Sequence, residues 1–140
     1  MQKKITIIIS LLICSVATFS QNKIVGKWLS EDKEAIISIY KQNEKFYGKL
    51  TWLKNPKDKN GKYLTDTENP NAKLRNKPLV GLEILNNFYF KDDEWKDGKI
   101  YDPKDGKTYI CSMWLTDKNE LKVRGYWGVF YSTVVWTSVK

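Results

Sequence analysis

Residues Trp95 to Tyr109 read WKDGKIYDPKDGKTY, in which one tetrapeptide, Lys-Asp-Gly-Lys, occurs twice, eight residues apart, around the core IYDP. Asp-Gly between strand-like runs is a strong hairpin signal, because both residues tolerate positive φ and the resulting turn matches the twist of paired strands. Asp97-Gly98 and Asp105-Gly106 are therefore read as two turns that bracket a short strand over 98–102. Pro103 ends that strand by removing a ladder donor.

Working outward, the same grammar continues in both directions. Runs rich in Ile, Val, Thr, Tyr, Phe and Trp, broken by Gly, Asp, Asn and Pro, predict strands over 24–30, 34–41, 45–53 and 81–90 before the motif, and over 107–116, 120–127 and 130–138 after it. Eight short strands joined mostly by tight turns form a meander, and closing a meander removes its edges. The expected fold is all-β, a single small antiparallel up-and-down barrel. Its exception is one long irregular segment, 55–80, charged and punctuated by NP and NG dipeptides. Segments of this kind serve as lids or binding loops, or cross the surface without order. Leu74, Pro78 and Leu79 are candidates to pin its end to the barrel.

Residues 1–20 are read as a cleaved signal peptide, with MQKK as basic start, ITIIISLLICSVA as apolar stretch and TFS as small-residue exit, leaving 21–140 as one barrel domain. The apolar run is shorter than the roughly 20 residues a membrane-spanning helix requires. Ile13 precedes Cys14 where a bacterial lipoprotein signal has a small side chain. The expected location is periplasmic or secreted. Cleavage near Ser20 removes two lysines and no acids, so the net charge of +8 becomes +6. Only Arg75 and Arg124 are arginines, and acids interleave with the lysines, so no nucleic-acid partner is expected. Cys111 is left as the one cysteine, which closes no intramolecular disulfide and is read as a buried core thiol.

The chain has no histidine, which removes Ser-His-Asp and Cys-His arrangements, His-ligated zinc and the commonest acid-base group at neutral pH. The DKNG run at 58–61 places its glycine fourth where a calcium loop needs it sixth, and Asn69 stands where the twelfth-position glutamate belongs. No catalytic residue, metal or cofactor is expected, and the protein is read as a non-enzyme. Aromatics are the surplus, with six Trp, eight Tyr and five Phe. Alternation puts Leu121, Val123 and Trp127 on one face of their strand and Lys122, Arg124 and Tyr126 on the other. It likewise separates Tyr109, Cys111, Met113 and Leu115 from Thr108, Ile110, Ser112 and Trp114.

Five blocks carry a resemblance: Gly26-x-Trp28, Asn69-Pro70, LRNKPLVGLEIL at 74–85, the opening motif, and LKVRGYWG at 121–128 with the closing Trp136. Together they resemble a family of exported bacterial proteins known as domain of unknown function 2147, with a calycin- or lipocalin-like barrel. The resemblance implies that Gly26, Trp28 and Trp136 close the barrel, with Arg124 or a nearby lysine laid over Trp28. It also leads one to expect an arginine soon after the last tryptophan, where Thr137, Ser138, Val139 and Lys140 stand. It implies no substrate. The candidate ligand site is Asp66, Asn69, Arg75, Trp95, Tyr101, Asp102 and Tyr109, extended by Arg124 and Trp127. Two functional readings stand: a binding module for a small amphipathic, lipid or glycan ligand in the cell envelope, or an envelope protein interaction module with a fully packed barrel.

Overall fold

The computed structural model describes residues 19–140, so the signal peptide expected over 1–20 lies almost wholly outside the described residues. A short 3-10 turn, η1 (Asn22–Ile24), leads into eight strands: β1 (Gly26–Leu29), β2 (Ala35–Gln42), β3 (Lys45–Leu53), β4 (Glu83–Lys91), β5 (Glu94–Asp102), β6 (Lys107–Leu115), β7 (Glu120–Trp127) and β8 (Phe130–Val139). Each pairs antiparallel with its neighbour in sequence, and β1 pairs with β8 through Trp28 and Ser138, closing the barrel. The expected all-β meander is therefore present and complete.

One end of the barrel is plugged. Ile24, Trp28, Phe46, Phe88, Trp95, Met113, Leu121 and Trp136 are buried there or just above it. Trp28 Nε1 donates to the Ile24 carbonyl at 2.8 Å and Trp95 Nε1 to the Gln21 carbonyl at 3.3 Å, so η1 is stitched across the opening by two indoles. The hairpins at this end turn on Asn43-Glu44 and Asp92-Asp93, all four residues at positive φ, the signature of two-residue turns that keep the strand twist. The other end carries the β1–β2 turn, the 54–82 connection, the β5–β6 turn and the β7–β8 turn.

The opening motif holds a correction. Asp97-Gly98 is no turn: β5 runs unbroken from Glu94 to Asp102, and the hairpin before it is made by Asp92-Asp93. Asp97, at φ 51°, is instead a bulge, where the β5–β6 register slips between Trp95 and Gly98. Gly98 is buried because the Phe88 ring lies flat over it; a Cβ there would sit 2.3 Å from the ring. The second tetrapeptide does turn the chain, with Gly106 at φ 70°.

Candidate functional site

The bulge decides what faces the barrel interior. A shift of one residue exchanges the two faces of a strand. Trp95 points inward at the plugged end, and after the extra residue Gly98, Ile100 and Asp102 point inward as well. Tyr101 is thereby turned outward, toward the long connection. Its hydroxyl donates to Asp66 Oδ1 at 2.7 Å, while Asn69 Nδ2 donates to Asp66 Oδ2 at 2.7 Å. Asp66 is completely buried, and it is the buried polar side chain of the described residues.

That connection is built, with its own small framework. Lys57 bridges Tyr63, Thr65 bridges Pro78, and a 3-10 turn, η2 (Ala72–Leu74), is capped by the Asn71 side chain. Asp58 Oδ1 takes the amides of Asn60 and Lys62, which is what the DKNG run does here. Leu79 packs on the core, as the sequence led one to expect for the segment's end. Gly106 fixes the other contact. A Cβ at this position would lie 1.9 Å from the Glu68 carbonyl oxygen, so only glycine lets 66–69 rest on the β5–β6 turn. The two copies of Lys-Asp-Gly-Lys thus do different work on one object: the first aims Tyr101 and Asp102, and the second seats the segment that Tyr101 holds.

Above the plug the open end is hollow. A cavity of about 880 Å³ lies between the β1–β2 turn, the β2–β3 wall and the long connection, with Ile37, Leu50, Leu53 and Leu79 among its apolar walls. A second, of about 680 Å³, lies between β5, β6, β7 and β8, walled by Ile100, Tyr109, Val123, Trp127 and Val134. Ile84, Asp102 and Pro103 line both, so the two are lobes of one mouth. Each is of the size that holds a small molecule. Lys107 and Ser132 add polar atoms to the smaller lobe.

Of the residues expected to form one site, Asp102, Tyr109 and Trp127 line this mouth, and Tyr101 borders the smaller lobe while its hydroxyl is turned out to Asp66. Asp66, Asn69 and Arg75 stand behind it as a brace, Arg75 Nε reaching the Asn69 carbonyl at 2.8 Å. Two are elsewhere. Trp95 is buried at the plugged end between Phe46 and Phe90, the length of β5 away from Tyr101. Arg124 is on the outer face, its guanidinium 4.8 Å from the Trp114 ring and 4.2 Å from the Tyr131 ring, with Nε on Thr133 Oγ1. It cannot cover Trp28, which faces inward opposite Ile37; strand alternation already separated the two faces. Gly26 opens β1, and Trp28 and Trp136 belong to the buried core. Sequence reasoning missed Gly125, whose bare backbone leaves the space between Tyr109 and Ile100 open. A glycine in mid-strand is itself a signal of close approach or a void.

The electrostatics follow from these contacts. Burial, and next the bond to Asp66, pushes the Tyr101 hydroxyl from 10.0 up to about 12; burial and Glu83 do the same to Tyr40. Donation from Tyr109 holds the Asp105 carboxyl below its ordinary range. Burial raises the Cys111 thiol to about 12, in keeping with an inert core cysteine. A raised tyrosine favours the protonated form in the folded state, so its contribution is full below pH 10 and is lost as pH rises through 12. Urea denaturation at stepped alkaline pH is expected to show stability falling across that window, and less steeply in Tyr101→Phe.

A meander barrel, plugged at one end and hollow under a strapped mouth at the other, is a calycin-like, lipocalin-like protein. The chain belongs to the family described as uncharacterized protein conserved in bacteria (DUF2147), whose model matches residues 26–138. A solved structure from Helicobacter pylori, protein HP1028, described as belonging to the lipocalin family, is similar with a TM-score of 0.71 and 25% identity, over 84% of this chain and 83% of that one. No curated protein matches the chain. Among the described residues no helix is long and apolar enough to cross a membrane.

Proposed function

We propose that this protein is a non-catalytic binding module of the cell envelope, exported by residues 1–20, that holds a small amphipathic molecule in its mouth. The observation that carries the reading is the pair of connected lobes above a closed plug. Apolar walls suit an acyl or ring body, and Asp102, Lys107 and Tyr109 stand where a polar head would sit. The hollow end favours this over the packed-barrel interaction module. Absence of histidine in the sequence agrees with a role in holding a molecule without transforming it.

Native mass spectrometry of residues 21–140, exported from a bacterial host, is expected to show added mass that disappears on denaturation. Gly125→Leu is the matched control. The nearest atoms to a Cβ there are Tyr109 Cβ at 3.7 Å and Ile100 Cγ2 at 3.8 Å, ordinary contact distances, so the first carbon is admitted without strain at a position that lines the lobe. Its expected result is an intact fold by circular dichroism and loss of the added mass. A wild-type spectrum with no added mass from any host, and no shift on offering fatty acids or detergents, would overturn the reading.

A further inference from the structure

Among the described residues, the turn joining β7 to β8 gathers the largest cluster of exposed apolar side chains. Across Trp127, Gly128, Val129, Phe130 and Tyr131, Val129 is 90% exposed, Phe130 64%, Tyr131 58% and Trp127 48%. Gly128, at φ 61°, makes the turn by itself, so nothing in the turn's geometry calls for Val129 and Phe130 to be apolar. The rings at the tip also pack on one another: those of Trp127 and Phe130 stack at 6.5 Å, and Trp127 meets Tyr109 edge-on at 6.3 Å. Ile110, 60% exposed, follows on the outer face through its pairing with Tyr126.

Charge surrounds this tip on the β5–β6 side. Lys107 lines the smaller lobe together with Tyr109 and Trp127, Lys104 stands in the β5–β6 turn beside it, and Lys99 is paired to Ile110. None of the three lysines is in an ion pair among the described residues. The acids of this turn keep their charge but are drawn in onto it, Asp105 taking the Tyr109 hydroxyl and the Lys107 amide and Asp102 the Lys104 amide, while Asp32 also acts on Lys104 from the β1–β2 turn; the longer lysine side chains are left to reach outward.

We infer that the β7–β8 tip is a membrane-docking point, inserting Val129 and Phe130 between the lipids of an anionic bilayer surface while Lys99, Lys104 and Lys107 meet the headgroups. The shape argues for lipid over protein. Five residues on a convex tip fall far short of the 20 to 30 or so that each side of a stable protein interface supplies. Aliphatic and Phe side chains at the apex with Trp and Tyr behind them is the order in which a bilayer surface accepts such groups. Because Trp127 also walls the smaller lobe, docking here would set the mouth against the membrane. That consequence rests on the proposed ligand site; the docking itself does not.

The test uses the chain from Gln21 on, which contains η1 and every strand of the closed barrel. Co-sedimentation with vesicles of phosphatidylcholine, and of phosphatidylcholine mixed with phosphatidylglycerol, is expected to show binding to the mixed vesicles that salt weakens. Val129→Asp/Phe130→Ser is expected to reduce the partition coefficient by about tenfold or more, an aspartate being far costlier than valine to place among lipids. An environment-sensitive dye on Val129→Cys reports insertion without removing the whole patch. Its emission is expected to shift to the blue on mixed vesicles, while a dye on Lys118→Cys, at the plugged end, does not respond. Equal binding by the double variant, equal response of both dyes, or no binding to either vesicle would overturn the assignment; the last would leave the tip to a protein partner. Failure of the native-mass experiment with vesicle binding intact would remove the ligand reading alone.

Discussion

Gly98→Ala is expected to destabilise the barrel by about 3 kcal/mol or more, at the upper end of what overpacking a core costs. Gly98 has no left-handed φ to lose, so the effect is steric. Its Cβ would lie 2.3 to 2.4 Å from Cγ and both Cδ atoms of Phe88, which means it would strike the face of the ring and not the end of a flexible chain. Phe88 has nowhere to go. It is fully buried, and it follows Asn87, which is itself held at φ 63° where the β3–β4 register slips. Thermal unfolding of the variant is expected to fall by about 10 °C or more. The companion Phe88→Leu is expected to cost stability alone yet recover part of the loss when combined with Gly98→Ala, so that the double-mutant cycle shows a favourable coupling. Additive losses would mean that the ring is not what the new methyl meets. Gly48 makes a milder neighbour for comparison, since a Cβ there lies 2.8 Å from Leu85 Cδ1, the tip of a side chain that can rotate.

Asp66→Ala is expected to cost about 2 to 4 kcal/mol, because it leaves the Tyr101 hydroxyl and the Asn69 amide without their buried acceptor. The location of the loss is more informative than its size. Asp66 joins the 54–82 connection to β5 across 35 positions of sequence, and the backbone bonds of Asp66 to Lys77 and of Leu79 to Leu64 continue the same seam. Limited proteolysis is expected to cut the variant within 55–80 while the barrel strands stay protected, since local opening follows the elements with fewest buried contacts. Tyr101→Phe keeps the ring and removes one donor, and is expected to give a smaller version of the same pattern, about 1 kcal/mol. Variants that lose stability with no gain in cleavage at 55–80 would show that Asp66 serves the core and not the strap. The strap also bounds the larger lobe, so its release is expected to diminish any added mass carried there.

Parts of the site were legible from residues alone. Alternation along β6 and β7 grouped Tyr109 with Cys111 and Met113, and Trp127 with Leu121 and Val123 opposite Arg124, because a strand's period of two is a local property; the structure shows that these groups face inward and Arg124 outward. The same rule, held to consistently, argues against Arg124 reaching Trp28. Trp95 was misplaced for a different reason. It is six residues from Tyr101 along one strand, about 20 Å at the usual rise, and a strand shorter than β5 had hidden that distance. The pairing of Asp66 with Tyr101 carries no mark in the sequence. A carboxylate in a loop is ordinarily solvated, and only the path of the connection over β5 removes this one from water.

Residue order by itself determined the all-β class, the eight-strand count, the position of the long connection, the buried Cys111 and the family. These rest on short-range patterns: alternation of apolar residues, turn chemistry at Gly and Asp, and strand-length runs between the turns. Tertiary structure decided that Asp97-Gly98 is a bulge while Asp105-Gly106 is a turn, since the tetrapeptide is the same and what packs on its glycine is not. At Gly98 that is a ring from β4, and at Gly106 a carbonyl from the strap. It alone also decided that the plugged end is full and the other hollow, because a cavity is what remains where side chains from strands far apart in sequence fail to meet.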